Sequence, residues 1–368
     1  GKRGTSLAVC ITAEGWHLID QPPVKFIRPN SLLELPKPDI NGDINLIWGL
    51  INIPKSEQVL IITWLIDSFR PDTPFPILEI IGEQGSAKST TQTHLRQLID
   101  PSSCNLRAMP KKVEDIFIAG KQNWVISYEN VSFISGPMQD AFCTISTGAG
   151  YASRKLYSDS DEFIMHLKRP IVLNGISDVI TAQDLIDRAI SIETPIVKVR
   201  KESSTIKNIF SNFHPKILSG LLNIFSSAMK LLPDIVIPPQ NCPRLIEFAK
   251  LGMAISKEIT GDEHQFLELF TNNRQNLIDR TLDASPVAVA LIEYLDYREG
   301  NNTVLPVKQW YETLEKYKPL GTEAWPKTTK GLGDQFRRIA PVLRAKSIQL
   351  QSEGRTSGLC YWSLSKLE

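Results

Sequence analysis

The segment that most restricts this chain is a short apolar run that passes straight into a glycine loop and then into a helix-like stretch. Residues 77–81 (Ile-Leu-Glu-Ile-Ile) read as a strand buried on both faces. Gly82-Glu83-Gln84-Gly85-Ser86-Ala87-Lys88-Ser89 follows, and residues 89–98 carry a helical pattern. Strand, glycine loop, Lys-Ser and helix together place backbone N–H groups and a helix N-terminus around a phosphate. In that arrangement Gly82 to Ala87 supply backbone, Lys88 neutralises β- and γ-phosphate charge, and Ser89 ligates Mg²⁺, with Thr90 the adjacent hydroxyl. ATP and Mg²⁺ are therefore the expected ligands. One position departs from the usual pattern: Ala87 stands where a glycine normally precedes the lysine. A methyl group is tolerated there at negative φ, so Ala87 is expected in that region, with Gly85 free for any left-handed turn. The competing reading is a glycine turn followed by a surface lysine.

Two more apolar runs follow, residues 124–128 and 170–173, and their alternation with helical stretches predicts an α/β core. Glu129 ends the first run, with Asn130 beside it, and is the candidate acid for holding Mg²⁺ and polarising an attacking water. Asn174 ends the second run. It can face a γ-phosphate or form an ordinary Asn-Gly turn with Gly175. Arg188, in Asp184-Leu185-Ile186-Asp187-Arg188-Ala189, is a candidate for reaching a neighbouring subunit's phosphate; its alternative is an internal ion pair with Asp184 or Asp187. A helix-like stretch over 137–147 and a hairpin with the polar turn Ser158-Asp159-Ser160-Asp161 fill the interval between Glu129 and Asn174. Residues 7–11 and 24–27 read as short β runs, 44–69 as helical, and 203–282 as helical with a proline-rich break at 233–243.

Net charge is +1, from 41 Lys and Arg against 40 Asp and Glu, so any polyanion surface must come from local clustering. Residues 327–346 provide one. Lys327, Lys330, Arg337, Arg338, Arg344 and Lys346 face a single acid, Asp334, while Leu332, Phe336, Ile339 and Leu343 share one helical face. A β run at 348–350, a turn over 352–358 carrying Arg355 and a run at 359–364 complete a winged-helix pattern. There Lys330, Arg337 and Arg338 would meet DNA from the helix and Arg355 from the wing. The bland alternative is a solvated basic helix acting as a lid.

Five scattered cysteines without a CxxC pair argue against a zinc site or a disulfide framework and fit a reducing cytoplasm. The apolar stretch at 59–66 is too short to span a bilayer. The chain starts at Gly1 and goes almost at once into a β run, which suggests a piece of a longer polypeptide.

The order of loop, acid, hairpin, Asn strand and Arg resembles the pre-sensor-1 hairpin branch of the AAA+ ATPases, which includes superfamily 3 helicases, phage and poxvirus-type primase-helicases and MCM helicases. The chain is also similar to a family of ATP-binding proteins of phages and integrated elements that are often linked to primase-polymerases. The matching segments are Thr12 to Trp16, the loop itself, Ser146-Thr147-Gly148, Arg154-Lys155-Leu156-Tyr157, residues 169–175 and 184–189. The resemblance implies a P-loop AAA+-type α/β core with a β-rich N-terminal region (1–43), core (44–202), helical lid (203–284) and winged helix (285–368). It implies an ATP-dependent DNA helicase or replication initiator working as a homo-oligomer, a hexamer, beside a primase-polymerase. Arg154 and Lys155 of the hairpin would be DNA contacts. Two departures stand out: Glu129 replaces the family's usual Asp, and the hairpin tip is acidic where helicases offer Lys or Arg. A non-translocating DNA-binding ATPase switch or transcription regulator is the alternative from another class, and a small-molecule kinase a third.

Overall fold

The computed structural model describes residues 7–154, 162–297, 302–319 and 324–367. The chain divides into two compact units, Gly1–Ile180 with Asp187–Arg274, and Thr181–Ile186 with Gln275–Glu368.

The first unit opens with an antiparallel hairpin, β1 (Ala8–Thr12) and β2 (Gly15–Ile19). Residues 24–27 do not form the expected strand. Val24, Phe26 and Ile27 are exposed, and a β-prone run with prolines on both sides and no partner has no ladder or packing to stabilise it. The helical stretch expected over 44–69 is also broken. It consists of a 3-10 segment Ile44–Gly49, a short 3-10 turn Lys55–Glu57 and then α1 (Gln58–Asp67). Pro54 interrupts it, and residues 50–54 are not helical. Helix α1 is apolar all round and buried almost throughout; its Trp64 indole N–H donates to the Pro76 carbonyl at 3.0 Å.

Five short strands then make the sheet, β3 (Ile77–Ile81), β4 (Arg107–Ala108), β5 (Ile126–Glu129), β8 (Ile171–Asn174) and β9 (Ala189–Glu193), in the order β4-β5-β8-β3-β9, all parallel. β3, the strand that leads into the glycine loop, is buried at every position. Helices α2 (Lys88–Ile99), α3 (Val113–Gln122) and α4 (Gly136–Thr147) connect the strands, as parallel pairing requires. Between α4 and β8 the expected hairpin is present as β6 (Gly150–Arg154) and β7 (Glu162–His166). Its tip lies outside the described residues.

Helix α6 (Ser203–Leu231), α7 (Ile246–Thr260) and the first part of α8 (His264–Asp283) form the helical side, and 233–243 is the expected break. Phe210, Ile217, Leu221 and Phe225 of α6 join α1, α7 and the strands in one hydrophobic core. The β1–β2 hairpin is tied to α6: Trp16 Nε1 donates to Asn223 Oδ1 at 2.7 Å and Ser226 Oγ to the Thr12 carbonyl at 2.6 Å.

The second unit contains α5 (Gln183–Ile186), α9 (Pro286–Asp296), β10 (Asn302–Pro306), α10 (Val307–Leu314), α11 (Thr329–Arg344), β11 (Ile348–Thr356) and β12 (Leu359–Lys366). Its sheet is antiparallel in the order β10-β12-β11. The turn expected over 352–358 is much tighter. Thr356 pairs with Leu359, which leaves the two-residue loop Ser357-Gly358 with φ of 50° and 80°, as a two-residue hairpin with both central residues left-handed requires. A bulge between Ser352 and Gly354 absorbs Glu353. Leu332, Phe336, Ile339 and Leu343 are buried as their spacing predicts, and Phe336 meets Trp310 and Trp362 edge-on.

Candidate functional site

Strand register brings three of the singled-out positions to one edge. Ile80 of β3 is level with Asn174, and Tyr128 is level with Leu173. The loop after Ile81, Glu129 and Asn174 therefore all lie at the carboxyl ends of neighbouring strands, where open α/β sheets bind ligands.

The loop is shaped by backbone signs. Gly82, Gly85 and Ala87 have φ of 146°, 92° and 59°. The expectation of a negative φ at Ala87 is overturned: it sits in the left-handed region with ψ 25° and serves as the N-cap of α2, without a side-chain capping bond. The turn geometry before the lysine is thus the one glycine normally supplies, imposed here on an alanine. The first N–H groups of α2 have no intrahelical partners, so the loop and helix start present a concave set of donors.

Lys88 Nζ folds back into this concavity. It donates to the carbonyls of Gly82 at 2.6 Å and Glu83 at 2.8 Å, with Ser86 Oγ at 3.4 Å, and burial lowers its pKa from the usual lysine value. The loop is braced from behind. Thr194, just past β9, holds Oγ1 at 2.8 Å from Ser86 Oγ and 2.9 Å from the Ile81 carbonyl, its one proton shared between these two acceptors. A Cβ on Gly82 would stand 2.6 Å from Thr194 Oγ1, so only glycine fits. Asn52, in the non-helical break before α1, donates from its backbone N to Thr91 Oγ1 at 3.0 Å and from Nδ2 to the Ser86 and Pro195 carbonyls at 2.9 and 2.5 Å.

Glu129 is half-buried at the tip of β5, and Asn130 turns the chain there with φ 51°. Asn174 is fully buried. It does not form a hairpin turn: β8 is a parallel strand between β3 and β5, and Gly175 N donates to the Ile80 carbonyl at 3.1 Å. Its Oδ1 accepts from Asn130 N at 2.9 Å, and its Nδ2 donates to Gln92 Oε1 at 2.5 Å. Gln92, buried in α2, in turn donates to Ser127 Oγ at 2.8 Å and to the Tyr128 carbonyl at 3.0 Å. Asn174 and Gln92 therefore lock the strand end that carries Glu129 to the helix that carries Lys88 and Ser89. Sequence reading missed Gln92, Asn52 and Thr194. Gln92 had one available signal, a polar residue on the inner face of a helix three positions after Ser89.

Arg188 sits at the other edge of the sheet. Its carbonyl accepts from Ile77 N at 2.8 Å, one residue before β9, about 13 Å along β3 from the loop. It is 8% exposed, and Nη1 lies 4.0 Å from Cys143 Sγ on α4. The neighbouring Asp187 carboxylate receives Arg274 from α8, at 2.7 Å from Nε and 2.6 Å from Nη2. A cleft of about 950 Å³ opens beside this pair, lined also by Arg244, His264 and Glu268 and by none of the loop's residues.

Of the basic positions, Arg154 ends β6 and Lys155 lies outside the described residues. Lys330, Arg337 and Arg338 are exposed on α11; Arg337 Nη1 is 3.4 Å from Asp334 Oδ1. Arg355 is exposed near the tip of β11, its Nε donating to Cys360 Sγ at 3.3 Å.

Fold and site together define an α/β protein with a parallel five-stranded sheet and a glycine loop and carboxylate on its carboxyl edge. Residues 44–260 match the model of the actinomycete integrative conjugative element replication protein, and residues 287–368 match the AICE RepA C-terminal domain. The chain belongs to this family of replication proteins. Among solved structures, it is similar to the apo C-terminal region of NrS-1, with a TM-score of 0.43 and 14% identity over 92% of this chain and 79% of that one. A JCV helicase bound to a small molecule is similar at a TM-score of 0.26 and 14% identity, over 60% of this chain and 65% of that one. No curated protein sequence matches the chain. No helix of the described residues is long and apolar enough to cross a membrane.

Proposed function

We propose that this chain is the ATP-hydrolysing DNA helicase or replication initiator of its mobile element, built as a P-loop AAA+-type core with a helical lid and a C-terminal winged helix. The observation that carries the reading is the convergence of Lys88, Ser89 and Glu129 on one edge of the sheet, locked together through Gln92 and Asn174. The residues fit Mg-ATP. Positive φ at Gly82, Gly85 and Ala87 gives the loop the turn geometry of an anion-binding backbone, and a hydroxyl and a carboxylate on the same edge of the sheet are oxygen donors of the kind Mg²⁺ takes. Bound Mg²⁺ would offset the phosphate charge. Lys88 would exchange its loop carbonyls for phosphate oxygens, Ser89 and Glu129 would hold the metal, and Glu129 would orient the attacking water. Asn174 acts by holding the Asn130 corner in place. Arg188, on the far edge from its own loop, would serve a neighbour's nucleotide in a homo-oligomeric ring, a hexamer, once rearrangement brings it to the subunit edge. The exposed basic face of α11 and the β11–β12 hairpin would hold DNA through Lys330, Arg337, Arg338 and Arg355, with Arg154 and Lys155 of the β6–β7 hairpin as further contacts. A primase-polymerase would act alongside it, in the cytoplasm.

A second reading, a DNA-binding ATPase switch that does not translocate, is favoured by the acidic sequence Ser158-Asp159-Ser160-Asp161 in the hairpin. Both readings require ATP turnover. Lys88→Ala should remove it, and Glu129→Gln should keep ATP binding while losing hydrolysis. Wild-type turnover in the Lys88→Ala protein would sink the assignment. Strand displacement on a forked duplex then separates the helicase from the switch.

A further inference from the structure

The chain that leaves β9 does more than brace the loop. Thr194 and Pro195 are pinned to Ser86 and Asn52, and α6 begins a short way on at Ser203. The segment between these anchors carries Lys198, Arg200 and Lys201. It returns over the glycine loop: a Cβ built on Gly85 would stand 2.8 Å from Arg200 Nη2 and 3.8 Å from its Cζ. The Arg200 guanidinium therefore rests on the loop at Gly85. Gly85 suits that contact twice over, since its φ of 92° disfavours a side chain and the space a Cβ would need holds the guanidinium.

We propose that Arg200 is a phosphate-contacting residue of the nucleotide site, acting in cis on the ATP held by its own loop. The inference rests on the ATP reading of that loop and adds a residue to it. Arg200 is exposed, and among the described residues no carboxylate is paired with it. Lys88, the other cation at the loop, is bonded only to loop carbonyls and Ser86 Oγ. Two cations at one glycine loop, neither paired with a carboxylate among the described residues, form an arrangement that a polyphosphate completes. A guanidinium fork is the side chain best shaped to take two phosphate oxygens at once. The anchors at Thr194 and Ser203 limit how far Arg200 strays from the loop, which reduces the entropy lost when it engages a ligand.

The test is titration calorimetry of the full chain with Mg-ATP and, separately, with inorganic tripolyphosphate, which isolates the phosphate contact from the base. Arg200→Ala should weaken both by roughly ten- to a hundredfold, the usual range for a charged hydrogen bond. Arg200→Lys should recover part of the loss, and Lys198→Ala should leave both affinities near wild type. Thermal melting of each variant controls for the fold, and Arg200→Gln keeps the stem should the alanine variant melt early. Wild-type affinity in both Arg200→Ala and Arg200→Gln, with binding abolished in Lys88→Ala, would overturn the role of Arg200 and leave the loop reading standing. A wild-type chain that binds neither ligand would overturn both.

Discussion

Replacing Ala87 with glycine should make the protein more stable, against the general rule that glycine loosens a chain. Ala87 has φ 59° and ψ 25° at the entrance to α2, and its position is fixed from both sides by Lys88 bonding back to Gly82 and Glu83 and by Asn52 holding the Ser86 carbonyl. An L-residue other than glycine in the left-handed region costs about 1–2 kcal/mol from Cβ–carbonyl crowding. Glycine removes that cost but gives the unfolded chain more freedom, which takes back about 0.4–1 kcal/mol. The net is a gain of about 0–1.6 kcal/mol, centred on ~0.8 kcal/mol, or about 2–3 °C in melting temperature at that centre for a unit of this size. Ala87→Val should go the other way, because a β-branched residue is a genuine outlier at positive φ. It should melt several degrees lower and bind ATP more weakly, since the strain is relieved by distorting the backbone of the proposed phosphate loop. The assay is thermal unfolding followed by tryptophan fluorescence, with ATP titration of each variant. A glycine variant that melts below wild type, or a valine variant that matches it, would refute the left-handed assignment and the strain derived from it.

Stability should also fall as pH rises from about 4 to 7. Burial, and after it the Asp178 charge, pushes the Glu79 carboxyl from 4.5 up to about 7, and burial pushes Asp67 from 3.8 to about 7. Both hold a proton in the folded chain where the unfolded chain has lost it, so their contribution is complete below the unfolded values and lost as pH passes 7. Urea unfolding across this range should show that slope, and Glu79→Gln, which can still accept from Val179 N and Ile180 N, should flatten it. An unchanged slope would remove Glu79 from the account. Charge reversal at Arg337 and Arg338 should weaken duplex DNA binding and lower its salt dependence by about one unit of slope for each phosphate that is no longer neutralised. Unchanged affinity and slope would leave α11 as a protein-binding face. Arg188→Ala and Lys88→Ala proteins, each inactive alone, should regain part of the ATPase activity when mixed. No recovery, with a rate per chain that is flat in protein concentration, would make Arg188 an internal residue.

Much of the site was legible because it is local. A strand, a glycine loop, a lysine and a helix are neighbours in sequence, and periodicity alone places the loop at the end of a buried strand. The same holds for the hairpin before β8 and for the buried face of α11, where Leu332, Phe336, Ile339 and Leu343 carry their own spacing. Short-range patterns failed where a distant partner decided the outcome. Residues 24–27 have the composition of a strand and no neighbour to pair with, and 50–54 leave the helix where Asn52 bonds across to Ser86, Thr91 and Pro195.

Sequence by itself thus determined where the glycine loop, Lys88, Ser89 and a strand-end carboxylate at Glu129 fall along the chain, the residues on which the proposed nucleotide site rests. Tertiary structure alone decided how they are held and what stands around them. Ala87 is left-handed because the loop must turn between anchors at Ser86 and Lys88, a constraint invisible to the alanine's own preference. Asn174 is engaged inside, on Asn130 and Gln92, because β8 lies between the two strands it joins. Arg188 is at the opposite edge because β9 runs parallel to β3, so the residue before it lies level with the start of β3 and not with its end. Arg200 reaches Gly85 across more than a hundred residues of intervening chain, and no periodicity records an approach of that range.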